Sequence, residues 1–181
     1  THDDAIKSGL SWLNDRLGGP QTLASYGLAK TGPATFLRDT RNREVLVSYP
    51  TADGDLSLQE LVSRANDLVP EAHRQFLHAA QLMHRTGDLL FVHAGIRPGV
   101  PLDQQAEDDL IWIRDGWLDN TDDHGFTVVH GHTALDAPAH CGNRVNLDGG
   151  PSYGRPLVPV VFDKGQVFTL TDAGRKPLLP H

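Results

Sequence analysis

Leu89-Leu90-Phe91-Val92-His93-Ala94-Gly95 decides how this chain is read, and Thr127-Val128-Val129-His130-Gly131-His132-Thr133 answers it further along. Each stretch is a short apolar run, rich in β-branched or aromatic residues, that stops at a histidine and a glycine. Such runs bounded by turn formers predict buried strands. A buried strand carries no polar side chain without a partner, and a glycine at its end lets the backbone turn toward a ligand. Ligands gather at the carboxyl ends of strands in open α/β sheets. His93 and His132 are therefore expected in one site, with a metal as guest, because neutral imidazole is the commonest side-chain metal ligand. The alternative for each is a hydrogen-bonded structural histidine. His130 lies two residues before His132, so both share a face if the strand persists through Gly131.

Outward from these strands, the first part of the chain reads as helical. Ile6, Leu10, Leu13 and Leu17 recur at helical spacing, and Gly18-Gly19-Pro20 is expected to stop that helix. The signals from Gln21 to Asp55 are mixed, with a short helical stretch over Thr22 to Leu28, a breaker at Thr31-Gly32-Pro33 and a weak alternation from Glu44 to Tyr49, and predict an irregular cap or insertion with a turn at Ala52-Asp53-Gly54-Asp55. Ser57-Leu58-Gln59-Glu60 is a capping box that opens a helix, and Pro70 separates it from another over Glu71 to Ala80. After Gly87-Asp88 the period changes. Strands are expected at Leu89–Val92, Leu110–Ile113, Thr127–Val129, Arg144–Leu147, Leu157–Phe162 and Val167–Leu170, with a hairpin turn at Lys164-Gly165. The expected organisation is a single α/β domain over 1–181, with a helical segment in 1–80 and a sheet-forming half in 81–172 that carries the site.

Composition bounds the function. Hydrophobic residues make up 39% and charged residues 22% of the 181 residues, an ordinary globular balance. No apolar run approaches the ~18 residues of a membrane span, and no signal-peptide pattern opens the chain, so a soluble, cytoplasmic protein with no membrane partner is expected. A net charge of −7 argues against a nucleic-acid surface built on phosphate neutralisation. One cysteine, Cys141, makes neither an internal disulfide nor a thiolate cluster, so any metal is held by nitrogen and oxygen.

Two further stretches add chemistry. Leu110-Ile111-Trp112-Ile113-Arg114 reads as a strand closed by an arginine, which is costly unless the guanidinium meets an anion such as phosphate or carboxylate. A salt bridge from Arg114 to Asp109 or Asp115 is the structural alternative. Asn146-Leu147-Asp148-Gly149-Gly150-Pro151-Ser152-Tyr153-Gly154 reads as a strand ending in a glycine-rich loop, either a backbone approach to a ligand or simply a turn.

Taken in order, Phe91-Val92-His93-Ala94-Gly95-Ile96-Arg97-Pro98-Gly99-Val100-Pro101, Leu110-Ile111-Trp112-Ile113-Arg114, Val128-Val129-His130-Gly131-His132-Thr133 and Asn146-Leu147-Asp148-Gly149-Gly150 with Tyr153-Gly154 resemble the C-terminal half of the calcineurin-like metallophosphoesterases. More narrowly, the chain resembles the bacterial phosphoprotein phosphatases that act on serine and threonine, with symmetrical diadenosine tetraphosphatases as close relatives. Trp12-Leu13 and Gln21-Thr22-Leu23-Ala24-Ser25-Tyr26-Gly27 are similar to a helical segment of the same phosphatases. The resemblance implies a four-layer α/β/β/α sandwich with two divalent metal ions, manganese first, iron or zinc as alternatives. It implies His93 and His132 as ligands of the second metal, His130 as a further ligand used by many members of the superfamily, Arg114 as the phosphate holder and Tyr153 as an aromatic lining residue.

The first-metal motifs of the family, Gly-Asp-x-His-Gly and Gly-Asp-x-x-Asp-Arg-Gly, have no counterpart here: Gly54-Asp55 leads into a helix and Gly87-Asp88 into the strand before His93. Thr1-His2-Asp3-Asp4 is the one counterpart of the Gly-Asn-His-Glu motif, which would set His2 where the general acid stands; the other reading of His2 is a plain terminal residue. The expectation is an N-terminally incomplete metallophosphoesterase domain acting on phosphoproteins or small phosphoesters. The alternatives are an inactive remnant serving as a binding module and a diadenosine tetraphosphate hydrolase. Open sheet edges predict self-association.

Overall fold

In the computed structural model, which describes residues 9–181, the chain is a mixed α/β protein with several sheets and few helices. It divides into two compact units, with the boundary between Ala80 and Gln81.

The first unit departs from the expected helical segment. Residues 9–18 form turns, and the first helix, α1 (Gly19–Ser25), begins where the stop was expected, with Pro20 in its first turn. Proline needs no N–H partner there, so the Gly-Pro pair opens a helix as readily as it closes one. Upstream, a carboxylate competes for the backbone: Glu44 accepts from Ser11 N at 3.0 Å, from the Asn14 side-chain amide at 3.0 Å and from Arg38 at 3.1 Å. In place of an irregular insertion stands an antiparallel meander of β1 (Thr35–Arg38), β2 (Glu44–Thr51) and β3 (Gly54–Leu56). In β2 Glu44 and Leu46 alternate inward, the register shifts opposite Thr35 and Phe36, and Tyr49 beyond the shift is buried as well; Leu46 and Tyr49 pack with Leu13, Leu23, Leu28, Leu56 and Leu61. The capping box holds as read: Ser57 Oγ accepts from Glu60 N at 3.3 Å while Ser57 N donates to Glu60 Oε2 at 2.8 Å, opening α2 (Leu58–Leu68). Pro70 caps α3 (Glu71–His78).

In the second unit, β4 (Met83–Thr86), absent from the sequence reading, pairs antiparallel with β5 (Leu89–Val92) across the Gly87 turn. The Leu110–Ile113 run expected as a strand is instead α4 (Glu107–Trp112). Four apolar residues fit either period, and three acidic residues in the first turn favour the helix by meeting the positive end of its dipole. Then come β6 (Thr127–His130), β7 (Ala139–His140) and β8 (Arg144–Asn146), giving a five-stranded sheet of order β4-β5-β6-β8-β7. Strands β5, β6 and β8 are parallel, so their carboxyl ends lie side by side.

One face of this sheet is the core. Leu90, Val92 and Val128 pack with Leu110 and Ile113 and with Trp117, which is fully buried. Each such apolar side chain contributes roughly 1.5–3 kcal/mol on burial. Gly95 is required here, because a Cβ would lie 2.3 Å from the Trp117 indole nitrogen. A separate meander follows, β9 (Val160–Asp163), β10 (Gln166–Thr171) and β11 (Gly174–Pro177). Its first turn is Lys164-Gly165 with both φ positive, 49° and 77°, as a tight hairpin demands. None of the described helices is long and apolar enough to cross a membrane.

Candidate functional site

The parallel strands deliver their ends to one rim. β5 leads into His93, β6 into His130-Gly131-His132, and β8 ends at Asn146. Backbone bonds extend the ladder past the strands: Gly131 N donates to His93 O at 2.9 Å and Leu147 N to His130 O at 2.8 Å. His93 and His132 meet, with Nε2 of His93 3.1 Å from Nδ1 of His132 and ring centroids 4.9 Å apart. Here the strand ends and the period-two rule ends with it, because His132 takes φ 65°. That left-handed backbone costs a non-glycine residue ~1–2 kcal/mol, and such strain persists only where the surroundings over-determine it. Part of the surroundings is Asn146, which is buried; its Nδ2 donates to Thr133 O and its Oδ1 accepts from Asp148 N, both at 2.8 Å. In the sequence Asn146 stands where a strand runs into a glycine-rich loop, and a lone amide inside a buried run is the signal that it clasps something.

His130 belongs elsewhere. It is 3% exposed, sits perpendicular to Trp117 with centroids 5.5 Å apart, and directs Nδ1 to Gly131 O at 3.1 Å. Burial, then the nearby Arg144 and His132 charges, push its pKa down to about 4 against the pull of backbone hydrogen bonds. The structure therefore places it in the core as a neutral imidazole and does not bring it to the His93–His132 contact.

Arg114 follows α4 and is exposed, so it closes a helix where the sequence suggested a strand. The alternative, a salt bridge from Arg114 to Asp109 or Asp115, is not among the ion pairs of the described residues. Asp109 holds Arg97 in a bidentate pair, 2.6 Å on each arm, and Arg114 joins no ion pair among the described residues. Its charge reaches the site all the same: burial first, and then the Arg114 and His93 charges, lower the pKa of His132, with Asp148 opposing. Tyr153, in the short turn Pro151–Tyr153, is 75% exposed and does not line the open hollow at this rim, which His93 and His130 border together with Phe91, Leu147, Asp148 and Leu157, while His132 stays outside its lining. That hollow measures about 370 Å³. His2 lies outside the described residues.

The donor set can be tested against a divalent cation. Metal–imidazole bonds of ~2.0–2.1 Å set neighbouring nitrogens roughly 3 Å apart on one ion, and the observed 3.1 Å fits. Burial lowers the pKa of His132, which favours the neutral ring that a ligand presents. Among the described residues no three His, Cys, Asp or Glu side chains group as a metal site. The pair therefore fits as two ligands of a site and no more. Trp112, named in sequence only as part of the arginine stretch, stands perpendicular to His132 with centroids 5.5 Å apart.

Comparison of the chain with protein-family profiles, curated proteins and solved structures returned no significant match.

Proposed function

We propose that the chain is the second-metal half of a metallophosphoesterase resembling the bacterial serine/threonine phosphoprotein phosphatases. The observation that carries this is the 3.1 Å approach of two imidazole nitrogens from the ends of neighbouring parallel strands. His93 Nε2 and His132 Nδ1 would hold a divalent ion, manganese first, iron or zinc otherwise, with the remaining ligands from outside the described residues. When bound, such ions supply Lewis-acid polarisation of phosphoryl oxygens and a water acidic enough to ionise near neutral pH. Arg114, a guanidinium without an ion-pair partner among the described residues, takes the phosphoryl oxygens and neutralises the charge that develops on them. Asn146, whose side-chain amide donates to Thr133 O, and Gly131, whose N–H donates to His93 O, keep the two loops in register. The four-layer sandwich is part of the same proposal. A helix covers one face of the parallel strands, and on the other Phe91 meets Phe162 of β9 edge-on at 6.3 Å and lines, with Val129 and Leu147, an open hollow.

The test is hydrolysis of p-nitrophenyl phosphate by the purified chain with added Mn²⁺. Turnover is expected to vanish in His93→Ala and His132→Ala, and Arg114→Ala is expected to lose ~10²–10³-fold in kcat, the scale of one lost charge-stabilising donor. No turnover with Mn²⁺, Fe²⁺ or Zn²⁺ would overturn the enzymatic reading. A second reading is favoured by one observation, that only two ligands group among the described residues. In it the same rim binds a phosphoryl group through Arg114 without cleaving it. Phosphate binding lost in Arg114→Ala, in a chain with no turnover, distinguishes it.

A further inference from the structure

Nδ1 of His132 faces His93, which leaves the other ring nitrogen to be accounted for. Nε2 of His132 is buried and has no nitrogen or oxygen partner among the described residues. Buried polar groups in folded proteins almost always have a partner. A ring lies beside this one: the Trp112 indole, at a centroid distance of 5.5 Å and an interplanar angle of 83°. Perpendicular aromatic pairs bring the positive edge of one ring to the negative face of the other. The positive edge of a neutral imidazole is its N–H, and an aromatic face is a weak acceptor for that group.

We propose that Trp112 is a positioning residue for His132: its indole face receives the Nε2–H and so holds the imidazole in the Nε2–H tautomer, with the Nδ1 lone pair turned toward His93. Trp112 is well placed for this. It is the last residue of α4, whose Leu110 carbonyl accepts from Ala94 N at 2.9 Å, directly after His93 in the chain. One short backbone link therefore ties the tryptophan to the histidine on the other side of the contact. It follows that His93 donates through Nε2 across the 3.1 Å gap, since His132 Nδ1 can only accept. In ligand histidines the tautomer is set by whatever takes the second N–H. Here an indole takes the place usually held by a carboxylate or carbonyl. That this readies Nδ1 for a metal rests on the function proposed above; the tautomer itself does not.

The experiment is a two-dimensional ¹⁵N–¹H spectrum of the imidazole rings in the metal-free full chain, labelled at histidine, at pH 8. His132 is expected to show a protonated Nε2 and an unprotonated Nδ1, with the Nε2 proton shifted upfield by the indole ring current. Trp112→Phe keeps an aromatic face and is expected to keep the tautomer. Trp112→Leu is expected to mix the two tautomers while the ring signals of His130, in the core, stay where they were. A wild-type His132 protonated at Nδ1, or a Trp112→Leu spectrum with His132 unchanged, would overturn the proposal. Should Trp112→Leu fail to fold, Trp112→Met takes its place, removing the aromatic face while keeping bulk, with the same two outcomes deciding. Mn²⁺ titration followed by electron paramagnetic resonance adds a second readout, with a ~10–100-fold weaker affinity expected in Trp112→Leu and near-native affinity in Trp112→Phe. A wild-type chain that binds no Mn²⁺ yet shows the Nε2–H tautomer would sink the proposed function and support the role of Trp112.

Discussion

Two clusters at the end of β6 are made from the same parts and do opposite work. Each has an indole, at least one imidazole and an arginine. Around Trp117, His130 stands perpendicular at 5.5 Å, His124 stacks at 5.8 Å, and the Arg144 guanidinium lies 5.6 Å from the ring centroid. Arg144 is buried and donates to Leu118 O, to Asn120 O at 2.8 Å and to the Asn143 side chain at 3.2 Å. Around His132, Trp112 stands perpendicular as well, but His93 and Arg114 are exposed and Arg114 has no ion-pair partner among the described residues. The difference is where the donors go. A guanidinium whose N–H groups meet backbone carbonyls is a structural clamp, and one left open to solvent is available to a ligand.

If the Trp117 cluster is structural, removing its centre should cost most. Trp117→Ala is expected to destabilise the second unit by ~3–5 kcal/mol, the range for a large aromatic lost from a core, measured as loss of hydrogen-exchange protection in β6. Next is acid. His130 is neutral in the fold with a pKa of about 4, against about 6.5 when unfolded, so the stability it contributes is present above 6.5 and is lost as pH falls toward 4. The full loss is on the order of 3 kcal/mol, and His130→Gln should flatten the pH dependence of β6 protection in that window. An unchanged slope would place His130 outside the core cluster.

The smallest effect concerns the rim, and its sign is opposite. His132→Gly relieves the φ of 65° and is expected to stabilise the chain by ~1 kcal/mol, while abolishing Mn²⁺-dependent turnover. Destabilisation of the same size would mean that His132 is held by packing rather than strained for a ligand. That would erase the contrast with His130.

Much of this contrast was hidden in the sequence. His130 and His132 differ by two positions, and on a strand that spacing puts both on one face. Whether the strand continues through Gly131 depends on what pairs with it, and pairing is a property of the sheet. The pairing with β8 ends at His130 and Asn146, a last backbone bond joins Gly131 N to His93 O on the β5 side, and the chain turns left-handed at His132. The Leu110–Ile113 stretch misled for a related reason. Four apolar residues satisfy either period, and the helix is favoured by the acidic first turn Glu107-Asp108-Asp109 together with the packing of Leu110 and Ile113 in the core.

What the sequence determined by itself was local. Apolar runs cut by His-Gly set β5 and β6, Ser57 with Glu60 set the start of α2, and Lys164-Gly165 set a hairpin, because each depends on covalent geometry and near neighbours alone. The tertiary structure decided which histidine pairs with His93 and which is buried under Trp117. Those outcomes depend on contacts between residues far apart in the chain, where burial and ring packing, not spacing, choose the partner.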